Sequence, residues 1–428
     1  MNARFTKQSL AISIATLISA STQAGVLTDL YNSALKNDAS YQESRASALA
    51  TETGYDIALS NLYPTVGMTA TRSTSNPSGN SSTTKGMTLT IDQTLFSMPA
   101  WYGYKAANQL PEITQLSIEA ADQGLMFRLV STYLGALKAK NGLEVAEAQE
   151  RALKRRLDQV NAQFEVGLIA ITDVLEARAS YDDARASLFT AQSGVESALD
   201  SLEKMTGVSS VDLKKIKASY PIEGITEGSE SEWLEKALAG NIALRLKKLS
   251  EVSAGYKAEA YASAHYPTVE LSHSAFNGEN DYEQRNGDSS TRLTLTIPIF
   301  SGFATTANQD KYAYKHTEAL FAYEGEVKTV KADTRKLLRD IEASVKTVEA
   351  RRVALESREK ALEATSQGFE VGTRNIVDVL NAETALYAAK TDYAEARIDH
   401  IALVTEMKST LGTLSPADIE SLDSWLEG

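Results

Sequence analysis

The sequence predicts a mainly α-helical chain with a membrane-type β portion, organised as two tandem repeats. Three observations carry this. First, short motifs recur in the same order in the two halves of the chain. Tyr63-Pro64-Thr65-Val66 returns as Tyr266-Pro267-Thr268-Val269, Phe96-Ser97 as Phe300-Ser301, and Phe164-Glu165-Val166-Gly167 as Phe369-Glu370-Val371-Gly372. Asp173-Val174-Leu175 returns as Asp378-Val379-Leu380, and Gly207 as Gly412. Chance supplies one such tetrapeptide; an ordered series is a duplication. Second, each half holds a pair of segments, about ten residues long, that alternate apolar with polar, the length and pattern of a tilted membrane strand. Third, apolar residues sustain a seven-residue period between the strands and the Phe-Glu-Val-Gly motif, which calls for long supercoiled helices.

The chain opens on an address. Arg4 and Lys7 precede the apolar run Leu10–Ile18, and Thr22 and Ala24 stand as a cleavage site, so 1–24 reads as a signal peptide; a short buried helix is the alternative. No later stretch approaches the roughly 18–20 apolar residues of a spanning helix. Residues 25–207 form the first repeat, 208–232 an irregular connection, 233–412 the second repeat and 413–428 a short tail.

Each repeat reads helix, hairpin, long helix, break, return helix. In the first hairpin (64–96) Pro64–Ser73 and Met87–Phe96 alternate, Met87, Leu89 and Ile91 on one face and Thr88, Thr90 and Asp92 on the other. The Ser/Thr/Asn/Gly segment Thr74–Lys85, with Pro77, is expected to be the loop. The second hairpin (267–300) is expected to match, with Pro267–Phe276, a loop at Asn277–Ser290 and a strand through Leu293–Ile297. Pro64 and Pro267 fall at the first strand residue, where Pro is tolerated. Tyr63, Phe96, Tyr266 and Phe300, with Trp101 just beyond, mark the strand ends opposite the loops, as a membrane-interface girdle or as packing between strands and helices. The helix after the second hairpin carries Ala313, Leu320, Val327, Thr334, Ile341, Val348, Leu355, Leu362 and Phe369 at seven-residue spacing. The first copy has Leu129, Ala136, Leu143, Glu150, Leu157 and Phe164 in one row and Leu125, Thr132, Ala139, Ala146, Leu153 and Val160 in the other. Unbroken, each helix would run about 65 residues, near 100 Å at ~1.5 Å per residue. Gly167 and Gly372 end them, and the return helices start near Thr172 and Val377. Gly207–Glu232, punctuated by Pro221, Gly224 and Gly228, forms with the tail a small girdle beside the long helices.

Composition narrows the function. Lys+Arg 43 against Asp+Glu 56 gives a net charge of −13, which argues against nucleic acid as a partner. Cys is 0, removing disulfides, thiolate metal sites and an N-terminal lipid-modified Cys. His265, His273, His316 and His400 share no metal-ligand spacing, and no phosphate loop or nucleophile elbow is present. No cofactor and no enzymatic activity are expected. Four strands cannot close a membrane barrel, and open sheet edges are not tolerated in hydrocarbon. Two copies would supply 8 strands and three copies 12. Soluble hairpins capping a coiled coil are the alternative, which would make the chain a trimeric adhesin or surface fibre.

The stretches Phe-Glu-Val-Gly-Leu-Ile-Ala-Ile-Thr-Asp-Val at 164–174 and Val-Gly-Thr-Arg-Asn-Ile-Val-Asp-Val-Leu at 371–380 resemble the TolC family of outer-membrane export ducts. The resemblance extends over essentially the whole mature length. It implies a homotrimer with a 12-stranded barrel in outer-membrane lipid, above a periplasmic α-barrel closed at its tip. A periplasmic adaptor would join it to an inner-membrane pump, ABC or proton-driven, for multidrug efflux or type I protein secretion. Lipid-anchored relatives begin with Cys, so the chain is similar to the non-lipidated branch. By the same resemblance Asp378 rings the periplasmic entrance, attracting cations, although an Asp at a helix start also suits the helix dipole unaided. A second ring position, Asp in near relatives, is Asn381 here, halving the charge. Arg374 is expected to latch the tip by meeting Thr172 and Asp173, or else to form a solvated surface pair. Phe369 replaces a Tyr that commonly donates a hydrogen bond there, so one latch is missing. Adaptor contacts fall near the breaks at Gly167 and Gly372.

Overall fold

A computed structural model of the chain describes residues 25–76, 82–225, 228–280 and 284–427. The expected signal peptide, 1–24, lies outside the described residues, as do Pro77 and the two hairpin tips. The first repeat comprises helices α1 (Val26–Asn37) and α2 (Ala39–Ser60), strands β1 (Thr65–Ser75) and β2 (Ser82–Phe96), then α3 (Met98–Ala107), α4 (Leu110–Glu165) and α5 (Ile171–Thr206). The second comprises α6 (Glu230–Gly240), α7 (Ile242–Ala262), β3 (Thr268–Asn280), β4 (Gln284–Thr296), α8 (Ala304–Glu370) and α9 (Ile376–Thr410), followed by α10 (Pro416–Ser424).

Three elements differ from the sequence reading. The entry helix is split in both repeats by a cap. Asp38 accepts from the Tyr41 amide (2.6 Å) and Asn241 from the Leu244 amide (2.9 Å), each starting a new helix. The long helix of the first repeat is interrupted at Asn108-Gln109, leaving 56 residues in α4, whereas α8 runs 67 residues without a break. Pro111 accounts for this, since it has no N–H for the carbonyl one turn back and its ring crowds that carbonyl. The hairpin loops are much shorter than expected. The ladder continues through Thr74↔Thr83 and Ser75↔Ser82 in one hairpin and Glu279↔Gln284 in the other. Ser and Thr read as loop residues because their hydroxyls compete with the backbone, yet here the hydroxyls pair across strands, Thr74 with Thr83 at 3.3 Å.

The four strands form one antiparallel sheet in the order β1-β2-β3-β4. Its register gives two unlike faces. Val66, Met68, Leu89, Ile91, Leu271 and Leu293 share one; Thr69, Thr88, Thr90, Asp92, Ser272 and Arg292 share the other. Neither β1 nor β4 has a further partner strand among the described residues.

The main core lies midway along the helices. Leu129, Tyr133 and Leu137 of α4 pack there against Leu27 of α1, Ile401 of α9 and Ile419 of α10. A strap holds it: Lys217 donates its amide to the Trp425 carbonyl (2.9 Å), and Glu427 donates to that of Lys215 (2.8 Å). Asp423 accepts from the Leu27 and Thr28 amides at the start of α1. The duplication survives as a repeated pin, with Asn37 donating to the Thr206 carbonyl and Asn241 to that of Thr410, both at 2.9 Å. Of the α8 heptad row, Thr334, Ile341 and Val348 are buried, while Ala313 and Leu320 toward the strands are exposed in the single chain.

Tyr133 ties α4 to the strap. Its hydroxyl donates to the Lys214 carbonyl (3.2 Å) and accepts from the Lys214 amide (3.1 Å). Burial pushes the phenol up to about 12. Tyr133→Phe leaves both backbone groups unpaired and is expected to cost about 1–3 kcal/mol, read as a lower thermal midpoint of the solubilised protein.

His400 on α9 is buried against α8, its Nδ1 2.8 Å from Ser344 Oγ. The Ser344 proton goes to the Ile341 carbonyl (2.7 Å), so His400 Nδ1 is the donor in that pair. Burial lowers the imidazole below its ordinary pKa of 6.5. The unfolded chain therefore binds the proton first as pH falls. This contribution to stability is complete above pH 6.5 and declines through the folded pKa below it. Thermal midpoints at pH 8 and 5 are expected to fall less in His400→Gln than in wild type.

Candidate functional site

At the end remote from the sheet, both helix pairs turn back through the same geometry. Gly167 and Gly372 each sit at φ +76, a left-handed conformation that suits glycine. Leu168 donates to the Gln163 carbonyl (2.9 Å) and Thr373 to that of Gly368 (2.8 Å), closing the last turns of α4 and α8. Val166, Leu168 and Val371 stand exposed on these turns. The return helices begin at Ile171 and Ile376, one residue ahead of the expected starts. Asp173 accepts from the Ala170 amide (3.4 Å), and Asn375 from the Asp378 amide (2.8 Å). Asn375 was legible as a cap, a short polar residue directly before an apolar-periodic run, and was missed.

Beneath the turns lies a small apolar cluster of Leu153 and Val160 (α4), Val174 and Ala177 (α5) and Ile376 and Val379 (α9). Phe369 packs against it, so this position contributes an apolar contact and no hydrogen bond from its side chain. Asp378 and Asn381 lie on the opposite side of α9, Asp378 half-buried and Asn381 exposed. Within the single chain Arg374, just ahead of α9, lies 3.7 Å from Asp378 on its first turn, whereas the sequence reading expected it to meet Thr172 and Asp173. A partner four residues away needs little ordering of the two side chains, whereas Asp173 is engaged as the cap of α5. Thr172 is exposed on the first turn of α5.

The seam between α4 and α9 holds a pair the sequence reading missed. Arg156 Nη2 donates to Glu383 Oε1 at 3.0 Å, with only 15% and 8% of the two side chains exposed. Arg156 Nη1 also donates to Gln159 (2.9 Å). Arg156 Nε, Glu383 Oε2 and Gln163 Oε1 are buried without hydrogen-bond partners among the described residues. The signal was available, since Glu383 falls in the apolar register of Ile376, Val379 and Leu386. Arg156, within Lys154-Arg155-Arg156, reads as part of a solvated run.

At the sheet end Tyr63, Phe96, Trp101, Tyr266 and Phe300 are all exposed, ringing the strand ends opposite the hairpin tips. Trp101 contacts Tyr104 at 5.8 Å between centroids, and Phe300 meets Phe303 edge-on at 5.3 Å. Gly302 and Phe303, both left-handed at φ 62 and 66, make the corner from strand to α8.

Long paired helices that turn back at one end and carry a two-faced, open-edged sheet at the other define a subunit of an outer-membrane transport duct, passive and not enzymatic. The chain belongs to the outer membrane efflux protein family, whose model matches residues 30–208 and 233–413, one match in each repeat. It is similar to outer membrane protein TolC of Vibrio cholerae, 30% identical over 96% of each chain. It is also similar to the alkaline protease secretion protein AprF of Pseudomonas aeruginosa, 26% identical over 92% of this chain and 86% of that one. Among solved structures, the CmeC outer membrane channel of Campylobacter jejuni aligns with a TM-score of 0.81 at 15% identity, covering 94% of this chain and 90% of that one. The open-state MtrE outer membrane channel of Neisseria gonorrhoeae aligns at 0.75 and 21%, covering 91% of each. The chain thus resides in the outer membrane with its helical trunk in the periplasm, and the fibre reading has no support.

Proposed function

We propose that three copies of the chain close a 12-stranded barrel and a continuous helical trunk, forming a duct that opens at its periplasmic tip when an adaptor and an inner-membrane pump engage it. The observation that carries this is the sheet: an apolar face, a polar face, and β1 and β4 unpaired at its edges. Unpaired edges in hydrocarbon cost several kcal/mol per group, and joining β1 of one copy to β4 of the next removes them. Tyr63, Phe96, Trp101, Tyr266 and Phe300 then form the periplasmic-side aromatic girdle.

At the tip, Asp378 and Asn381 face the threefold axis, and the nearby Arg374 tempers the charge of the ring. Arg374 exchanges between Asp378 and the Thr172–Asp173 turn as the entrance opens, while Phe369 anchors the turn through packing. The exposed Val166, Leu168 and Val371 beside Gly167 and Gly372 offer an apolar surface to the adaptor. The pump is of the ABC or proton-driven class, and the passive duct serves efflux and type I secretion alike, which agrees with similarity to both a TolC and a protease secretion protein.

Single-channel conductance in a planar bilayer tests this. Wild type is expected to show a small, cation-preferring conductance, Arg374→Ser a larger one, and Asp378→Asn a reduced cation preference. Soluble trimers without conductance would overturn the duct.

A further inference from the structure

The sheet register places Arg72 of β1 directly opposite Lys85 of β2, and Lys85 opposite Glu279 of β3. All three continue the apolar face, one alternate position beyond Ala70 and Met87. Like charges opposite one another on adjacent strands repel, so this pairing is unfavourable on its own. Lys85 approaches Glu279 only to 3.9 Å with both side chains more than half exposed, and Arg72 has no carboxylate partner among the described residues. A shallow depression opens here, lined by Ala70, Arg72, Lys85, Met87, Asn277 and Glu279. It lies on the apolar face, because Arg72 and Lys85 share the register of Met68 and Leu89, while the Phe276 ring covers Gly86 and Gly278 on the other face.

Height identifies what meets this face. From Tyr63 to Arg72, nine residues at ~3.3 Å each and a tilt of ~40° rise about 23 Å, close to the ~25 Å apolar band of such barrels. Arg72 and Lys85 therefore stand at the outer rim of the hydrocarbon, where lipid headgroups begin. A planar guanidinium fork beside a point-charge ammonium matches the oxygens of a phosphate. The apolar strip of Ala70, Met87, Met68 and Leu89 directly below suits acyl chains.

We propose that Arg72 and Lys85 bind the phosphate of an outer-leaflet lipid whose acyl chains lie along that strip. The inference rests on the barrel proposed above. Glu279 holds the ammonium from the far side and biases the anion toward Arg72.

The test is the thermal midpoint of the detergent-solubilised protein, titrated separately with lipid A, dephosphorylated lipid A and inorganic phosphate, alongside conductance in phosphatidylcholine bilayers. Lipid A is expected to raise the wild-type midpoint saturably, and the other two ligands to leave it unchanged at equal concentration. Arg72→Gln/Lys85→Gln is expected to need at least tenfold more lipid A while conducting as wild type, and Glu279→Gln to need less. A double variant that responds like wild type, or an equal response to inorganic phosphate or dephosphorylated lipid, overturns the site. A pore without any lipid A response overturns the site alone; absence of a pore in wild type overturns the barrel as well.

Discussion

Glu383→Ala is expected to weaken the α4–α9 seam by about 3–5 kcal/mol, because it leaves Arg156 buried there without its counter-charge. Desolvation decides the size of this effect. The guanidinium was taken from water on the strength of one carboxylate and Gln159, and its Nε has no hydrogen-bond partner among the described residues. With Glu383 gone, the lowest-energy response is for α9 to part from α4 and admit water. Hydrogen exchange near 156 and 383 should therefore accelerate, and single-channel conductance should rise. The pair itself is a poor stabiliser, since Glu383 Oε2 and Gln163 Oε1 are also unsatisfied. Arg156→Met combined with Glu383→Leu, which removes both charges and keeps most of the volume, should be neutral or stabilising by up to about 4 kcal/mol and should hold the seam shut. Wild-type exchange and conductance in Glu383→Ala would show that the pair does not hold the seam.

The second large effect is Gly412→Ala. Gly412 is left-handed at φ +68, and a Cβ there would overlap the carbonyl oxygen of Gly240; one added at Gly240 would overlap that of Leu411. The ends of α6 and α9 thus meet backbone to backbone, where neither neighbour can yield as a side chain would. Left-handed strain of about 1–2 kcal/mol adds to about 1–3 kcal/mol of overpacking. Relief would pull Asn241 from the Thr410 carbonyl. Gly207 is the internal control. It is also left-handed, at φ +72, but its added Cβ would meet only the Asn37 side chain at 3.1 Å, which can shift. Thermal midpoints of the two variants should separate accordingly, Gly412→Ala falling much further, and equal losses would remove the backbone contact as the cause.

The duplication, the two hairpins, the paired long helices and the glycine turns were all legible in residue order, because each depends on local periodicity or on one residue's backbone freedom. Alternation of Met87, Leu89 and Ile91 with Thr88, Thr90 and Asp92 sets which face of a strand is apolar wherever the strand is placed. Gly167 and Gly372 end helices for a reason contained in a single residue. Strand length was misjudged where Thr74 and Thr83 look like loop, since a hydroxyl's choice between its own backbone and a neighbouring strand depends on whether that strand is there. The partner of Arg374, the burial of Arg156 with Glu383 and the contact of Gly412 with Gly240 were not legible, because each joins segments whose approach is set by helix packing. Periodicity tells an element which side to bury; which charge is desolvated, and against what, follows only once the long helices have been laid side by side.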